Sequence, residues 1–181
     1  NFYIATSRDA EHWDFQWVYA GRPLVPRGPD GSFDKDMLIP PSNIITYQDR
    51  HWIYYSGSNE RHGMARNDDA IGAATLRLDG FVCLEAGDEP GTIVTRPFEL
   101  TGDKLQVNVQ GSEFYVEVLD RKGKPIPGFS TEESSRYQRV NELRLTPTWK
   151  GAARFSTLKG RVIRLRFHLK KGRLYSFHIP E

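Results

Sequence analysis

Short runs of aromatic and β-branched residues recur from one end of the chain to the other, each bounded by turn-forming residues, and no stretch sustains a 3.6-residue apolar period. The pattern predicts an all-β protein. Strands are predicted over Phe2–Ser7, Ser42–Tyr47, His51–Ser56 and Ala70–Leu78, with Gln48-Asp49-Arg50 turning the middle two into a hairpin. Ahead of that hairpin lies Gly21–Pro41, a loop with five prolines and three glycines; such length inside a compact domain marks function or disorder. Beyond Gly91 the alternation is cleaner. Leu105, Val107 and Val109 point to a core while Lys104, Gln106 and Asn108 point to water, and Phe114, Val116 and Val118 alternate with Glu113, Tyr115 and Glu117. After the turn Asp120–Gly123 and the longer polar stretch Ser130–Arg139, Ile163, Leu165, Phe167 and Leu169 alternate with Arg164, Arg166 and His168. Lys170-Lys171-Gly172-Arg173 then reads as the turn of a hairpin that continues through Leu174–Ile179. These strands predict an antiparallel β-sandwich of roughly ninety residues.

With 181 residues, 38% hydrophobic and 27% charged, the chain has apolar material for a core and is not of the disordered class. It is too short for a complete multi-bladed propeller or a large α/β barrel. No apolar run approaches the roughly 18 residues of a membrane-spanning helix, and no membrane partner is expected. Cys83 is the only cysteine, which excludes an internal disulfide. The sequence opens on Asn1 with neither the basic start nor the apolar run of a signal peptide, and reads as an excised segment. Charge is unevenly divided: residues 1–90 carry 8 basic and 14 acidic side chains, residues 91–181 carry 17 and 9. Opposite charge on adjoining halves suits an interface between them, the preferred reading, or equips the basic half to attract an acidic polysaccharide.

Particular residues carry more than the pattern does. Ser7-Arg8-Asp9-Ala10-Glu11-His12-Trp13 resembles the S-x-D-G-x-x-W turn of five-bladed β-propeller carbohydrate enzymes, with Ala10 where glycine is usual. In such a turn an Asp ends the strand and the Trp packs back between blades. Pro23–Gly28, Trp52–Asn59 and Ile71–Phe81 together resemble the closing portion of a glycoside-hydrolase-like propeller, of the superfamily of families 32, 43, 62 and 68, often followed by a C-terminal β-sandwich. The resemblance covers nearly the whole chain. It implies a partial β-propeller of one to two blades over residues 1–90, then the antiparallel β-sandwich over residues 91–181. It further implies a carbohydrate-active parent whose essential carboxylates lie on earlier blades, outside this chain. No catalytic residue is carried over, and the segment alone is expected to be inactive. The alternative is a non-catalytic carbohydrate-binding module in which the sandwich acts. An incomplete propeller leaves unpaired strand edges, so a covering partner is expected: the sandwich, a second copy in a homo-oligomer, or a missing N-terminal propeller segment.

Asp34, Asp36, Glu60, Arg61 and His62 are the candidates for carbohydrate contact. Asp34 and Asp36 lie in the long loop just before a strand, where a propeller exposes side chains towards its central pocket; plain solvation beside Lys35 is the preferred alternative. Glu60, Arg61 and His62 follow the strand His51–Ser56. Glu60 suits sugar hydroxyls and Arg61 or His62 a carboxylate or sulfate, while an ordinary exposed turn explains them equally well. Trp52 and Tyr54 face one side of their strand and Tyr55 the other; these, like Trp13, Trp17 and Trp149, are assigned to packing. The row Arg164, Arg166 and His168 has the charge for an acidic glycan, but neutralisation by Glu113 and Glu117 across strands is preferred. No nucleic-acid reader motif is present, so no nucleic-acid partner is expected. The scattered histidines and lone Cys83 give no zinc spacing, Asn67-Asp68-Asp69 reads as a turn rather than a calcium site, and there is no glycine-rich phosphate loop; no metal and no cofactor are expected.

Overall fold

The computed structural model describes residues 1–63, 69–151 and 153–180. Asn67 and Asp68 of the acidic triplet therefore lie outside the described residues. The protein is mostly β with antiparallel sheets, and among the described residues helix is confined to single turns at Gln16–Tyr19 (α1) and Phe155–Leu158. The chain divides into two compact units, Asn1–Phe81 and Val82–Glu181. The division precedes the change of texture at residue 90 because Leu84–Ala86 already pairs with the last strand of the second unit.

In the first unit, β1 (Thr6–Ser7) and β2 (Trp13–Asp14) form a short ribbon, and β3 (Met37–Ile39), β4 (Ile45–Tyr47), β5 (Arg50–Ser58) and β6 (Asp69–Arg77) form one sheet. β5 is central. β6 runs along one edge of it, while β4 and β3 lie end to end along the other. Pro40 and Pro41 break that second edge, since neither has an N–H to give a ladder. The β4–β5 hairpin turns at Gln48 and Asp49, whose φ values of 49° and 60° are those of a tight turn matched to strand twist. Two expectations change here. The strand Phe2–Ser7 is reduced to β1 plus a bridge from Phe2 to Val25, and the loop Gly21–Pro41 contains that bridge and β3. The described residues form no propeller.

The two faces of this sheet differ. His51, Ile53, Tyr55 and Gly57 point to the covered face, where Phe2 meets the Tyr55 ring edge-on at 5.9 Å, Phe33 stacks on it at 6.3 Å and Phe81 lies 4.8 Å from His51. Glycine makes the fit possible: a Cβ on Gly72 would strike the Tyr55 ring, and one on Gly57 would lie 2.5 Å from the Asp34 Cβ. Trp52 and Tyr54 point the other way with parallel rings, and pairing with Arg50, Trp52 and Ser56 of the same β5 face brings Tyr47, Ile45, Ile39 and Ile71 to that side. That face is open: Tyr47 is 61% exposed and Ile71 81%.

The second unit is one six-stranded antiparallel sheet: β7 (Leu84–Ala86), β8 (Gly91–Val94), β9 (Phe98–Glu99), β10 (Gln106–Asp120), β11 (Tyr137–Leu145) and β12 (Val162–His178). The predicted hairpin around Lys170–Arg173 is absent. β12 is instead a single strand that pairs with β10 along its whole length, from Gln106↔His178 to Asp120↔Ile163. Phe167 and Phe177, ten positions apart on it, would be about 33 Å apart if extended, yet their rings are 5.4 Å apart. The strand therefore turns a corner. Lys171, at φ 43°, lies at the bend where the buried positions switch from Ile163, Leu165, Phe167 and Leu169 to Leu174, while the register runs unbroken from Gly111↔Gly172 to Glu113↔Lys170. Gly172 faces Gly111 at the same corner, where β10 makes the matching switch from Val107 and Val109 to Phe114, Val116 and Val118. The folded sheet encloses a core closed by Phe129, Trp149, Phe155 and Leu158, with Trp149 Nε1 donating to the Val116 carbonyl at 2.9 Å.

Candidate functional site

The antiparallel register sets Met37 opposite Ser58, so the loop before β3 and the turn after β5 meet at one end of the first unit's sheet. The Asp36 N–H donates to the Ser58 carbonyl at 3.2 Å. Asp36 takes a 2.6 Å ion pair from Lys35, and its backbone carbonyl accepts from Arg27 Nη1 at 3.2 Å. The Lys35 ammonium bonded to it, together with Arg61 and Arg27, holds the Asp36 carboxyl below its usual range against some desolvation. Glu60 is near enough to raise the Lys35 ammonium in turn, after the larger effect of the Asp36 hydrogen bond. Asp36, Glu60 and Arg61 are thus brought together, with Lys35 as the expected counter-charge and Arg27 as a member that the sequence reading missed. Arg27 comes from a Pro-rich segment whose backbone is anchored by the Asn1 side chain at 2.7 Å. Nothing in its local pattern announces this.

Asp34 is placed differently. It is buried, and it accepts a 2.8 Å hydrogen bond from the Tyr55 hydroxyl on the covered face. Burial pushes its carboxyl up, but donation from Tyr55 and Ser32 prevails and holds it below the ordinary value. It ties the loop to the sheet, and the expectation of a solvated Asp34 is corrected. His62 is exposed and makes no hydrogen bond or ion pair with a described residue. Beside the cluster, Asn59 Oδ1 is buried without a hydrogen-bond donor. The end of the sheet therefore offers alternating charges, a set suited to hydroxyl-rich ligands.

The turn Ser7–Trp13 is self-contained. Asp9 Oδ1 accepts from the backbone N–H of His12 and Glu11 at 2.8 and 3.0 Å, and Ala10 takes the left-handed φ of 64° that glycine tolerates best. Trp13 does not enter a core as expected. It is 52% exposed and folds back on its own turn, Nε1 donating to the Ala10 carbonyl at 3.2 Å.

In the second unit the outward row is cross-linked. Register places Glu117 opposite Arg166 and Tyr115 opposite His168. Glu117, only 3% exposed, takes 2.7 Å from His168 Nε2 and 3.1 Å from Arg166 Nη1. Burial would raise this carboxyl, but donors from His168, Thr131 and Arg166 hold it below its usual value. Arg166 and His168 are thereby committed to an internal partner, as cross-strand neutralisation requires. Tyr115 stacks on His168 with centroids 4.2 Å apart, and the Arg136 guanidinium lies 4.1 Å over the Tyr115 ring.

Among the described residues no group of three His, Cys, Asp or Glu side chains is arranged to hold a metal ion, and no helix is long and apolar enough to cross a membrane. Comparison with family models, curated proteins and solved structures returned no match.

Proposed function

We propose that this chain is the C-terminal part of a carbohydrate-active protein built like the propeller glycoside hydrolases, its first unit contributing terminal blade strands and its second a β-sandwich. The observation that carries this reading is the open apolar face of the β3–β6 sheet, with Trp52, Tyr54, Tyr47, Ile45, Ile39 and Ile71 on one side of a sheet whose other side is covered. Blades of a propeller pack face to face through such surfaces, and a contiguous exposed apolar patch of this kind marks a buried interface in the working assembly. The Asp36, Glu60 and Arg61 cluster at the end of the sheet is then a substrate-contact group. It is not a catalytic one, because Asp36 is spent on Lys35 and glycoside hydrolysis requires a pair of carboxyl groups flanking the scissile bond. The catalytic carboxylates come from further blades.

A second reading, a non-catalytic carbohydrate-binding module, is favoured by the polar face of the second unit around Arg136. A glycan panel separates the two. The chain is expected to be retained on at least one immobilised polysaccharide while releasing no reducing sugar. Retention abolished by Asp36→Asn and Arg61→Gln supports the contact role of the first unit, and retention unaffected by both moves the activity to the second. Neither retention nor turnover on any glycan overturns both readings.

A further inference from the structure

A salt-bridged network that is buried on the outward side of a sheet costs desolvation, and here it props up an exposed guanidinium. Glu117 orients His168 through Nε2, Thr92 contacts the other ring nitrogen at 3.4 Å, His168 stacks under Tyr115, and Tyr115 carries Arg136 on its far face. Glu113 fixes one edge of that guanidinium at 2.5 Å. The result is a planar donor held by stacking on one side and by a carboxylate along one edge, which is how an arginine is pre-organised for a second anion.

Arg136 stands between two depressions. On one side is a cleft of about 150 Å³ bounded by Pro90, Tyr115, His168 and Lys170; on the other is an open groove of about 520 Å³ lined by Thr131, Ser135 and Lys150. The cleft is well below the roughly 300 Å³ of a drug-sized pocket and admits one ring-sized group. The groove offers hydroxyls. Three cations, Arg136, Lys150 and Lys170, face two carboxylates, Glu113 and Glu132, and neither lysine is ion-paired with a described residue.

We propose that this surface binds the carboxylated end of an acidic carbohydrate, a uronate ring in the cleft with its carboxylate between Arg136 and Lys170, and the following sugars in the groove. The site rests on the reading of the chain as carbohydrate-active and names a ligand class for its second unit. Tyr115, with both ring faces occupied, acts as a positioning residue and not as a stacking platform for sugar.

The test measures binding of the full chain to oligogalacturonate, to a neutral oligosaccharide of equal length and to a sulfated one, at near-physiological salt, by calorimetry. Oligogalacturonate is expected to bind best. Arg136→Gln and Lys170→Gln should each weaken it by about tenfold or more, as loss of a charge-assisted hydrogen bond predicts, while Lys122→Gln in the Asp120–Gly123 turn should leave it unchanged. Arg136→Lys, which keeps the charge and loses the fork, should restore part of the affinity. If Arg136→Gln lowers the melting temperature, Lys170→Gln alone decides the question. Equal weakening by Lys122→Gln, or tighter binding of the sulfated ligand, shows a general polyanion surface and overturns the site. Binding of the neutral ligand alone, or of none of the three, overturns the site and leaves the carbohydrate reading to be decided by the glycan panel.

Discussion

Gly172→Ala is the sharpest probe of how the second unit is built. Gly172 sits at the corner of β12 opposite Gly111, and a Cβ there would lie 2.5 Å from the Gly111 Cα and closer still to the Gln110 carbonyl oxygen. Carbon contacts are optimal at about 3.5–4.0 Å, so more than an ångström must be found. Both obstacles are backbone, and no rotamer change can supply it. Over-packing of a core ordinarily costs about 1–3 kcal/mol; the upper end applies here because relief means parting Gln110 from Arg173 and Gly111 from Gly172 in the ladder. For a unit of about a hundred residues each kcal/mol is worth about 4–8 °C, so the melting temperature should fall by about 12–24 °C. The assay is thermal unfolding followed by the far-ultraviolet β signal and by Trp149, which lies in the core of this unit. Gly87→Ala is the matched control: nothing lies within 4 Å of its Cβ position, and neither glycine has a left-handed φ. A Gly172→Ala protein that melts within about 3 °C of Gly87→Ala would show that the corner has room, and the account of the folded sheet would be refuted.

The carboxyl of Glu117 has its folded pKa depressed, so its stabilisation is complete above the unfolded value of about 4.3 and is lost as pH falls through the folded value. Glu117→Gln should therefore cost about 2–4 kcal/mol at pH 7, with the gap from the parent protein closing in acid; a gap constant from neutral to acid pH contradicts the assignment. Tyr55→Phe removes the 2.8 Å donor to buried Asp34 and should destabilise the first unit by about 1–3 kcal/mol, while the Asp34 titration, followed by carboxyl carbon resonance, moves upward. An unmoved Asp34 would mean that Tyr55 is not what holds it. Ala10→Gly relieves a left-handed φ of 64° and should stabilise the Ser7–Trp13 turn by about 1 kcal/mol, read from Trp13 fluorescence on denaturation; a loss of stability would place the turn in another conformation. Hydrogen exchange should find the β5 and β6 amides opening well before those of β10 and β12, because the first sheet is covered on one face only. Equal protection would require a cover on Trp52, Tyr54 and Ile71.

The alternation rule read β10 well: Val107, Val109, Phe114, Val116 and Val118 are all fully buried. It did not reveal that β10 and β12 each switch parity at a corner, because a two-residue period says which face a residue takes and not where the sheet folds. The Lys-Lys-Gly-Arg sequence has the composition of a hairpin turn, and only the continuous pairing to β10 shows it to be a bend. The same limit applies to the candidate site. Asp36, Glu60 and Arg61 were readable as polar residues at strand ends, whereas Arg27 and the Glu117–His168–Tyr115–Arg136 stack are products of long-range register. Asp34 looked like its neighbour Asp36 in sequence; its burial follows from Gly57, whose missing side chain leaves the space that Asp34 fills.

The contrast between the units has an energetic meaning. Among its described residues the second unit buries eighteen in one cluster, from Leu100 to Leu174. In the first, Val25 and Ile53 are the buried apolar side chains among the described residues, while large apolar residues line its open face. Each such side chain moved from water into a packed interface contributes about 1.5–3 kcal/mol, so covering Trp52, Tyr54, Tyr47, Ile45 and Ile71 contributes on the order of 10 kcal/mol before ordering costs. That is comparable to the whole stability of an ordinary domain. The state of the first unit is therefore set less by its own few buried contacts than by what lies on this face. The substrate-contact cluster inherits the same dependence, because Glu60 and Arg61 stand at the end of β5, the strand that carries Trp52 and Tyr54.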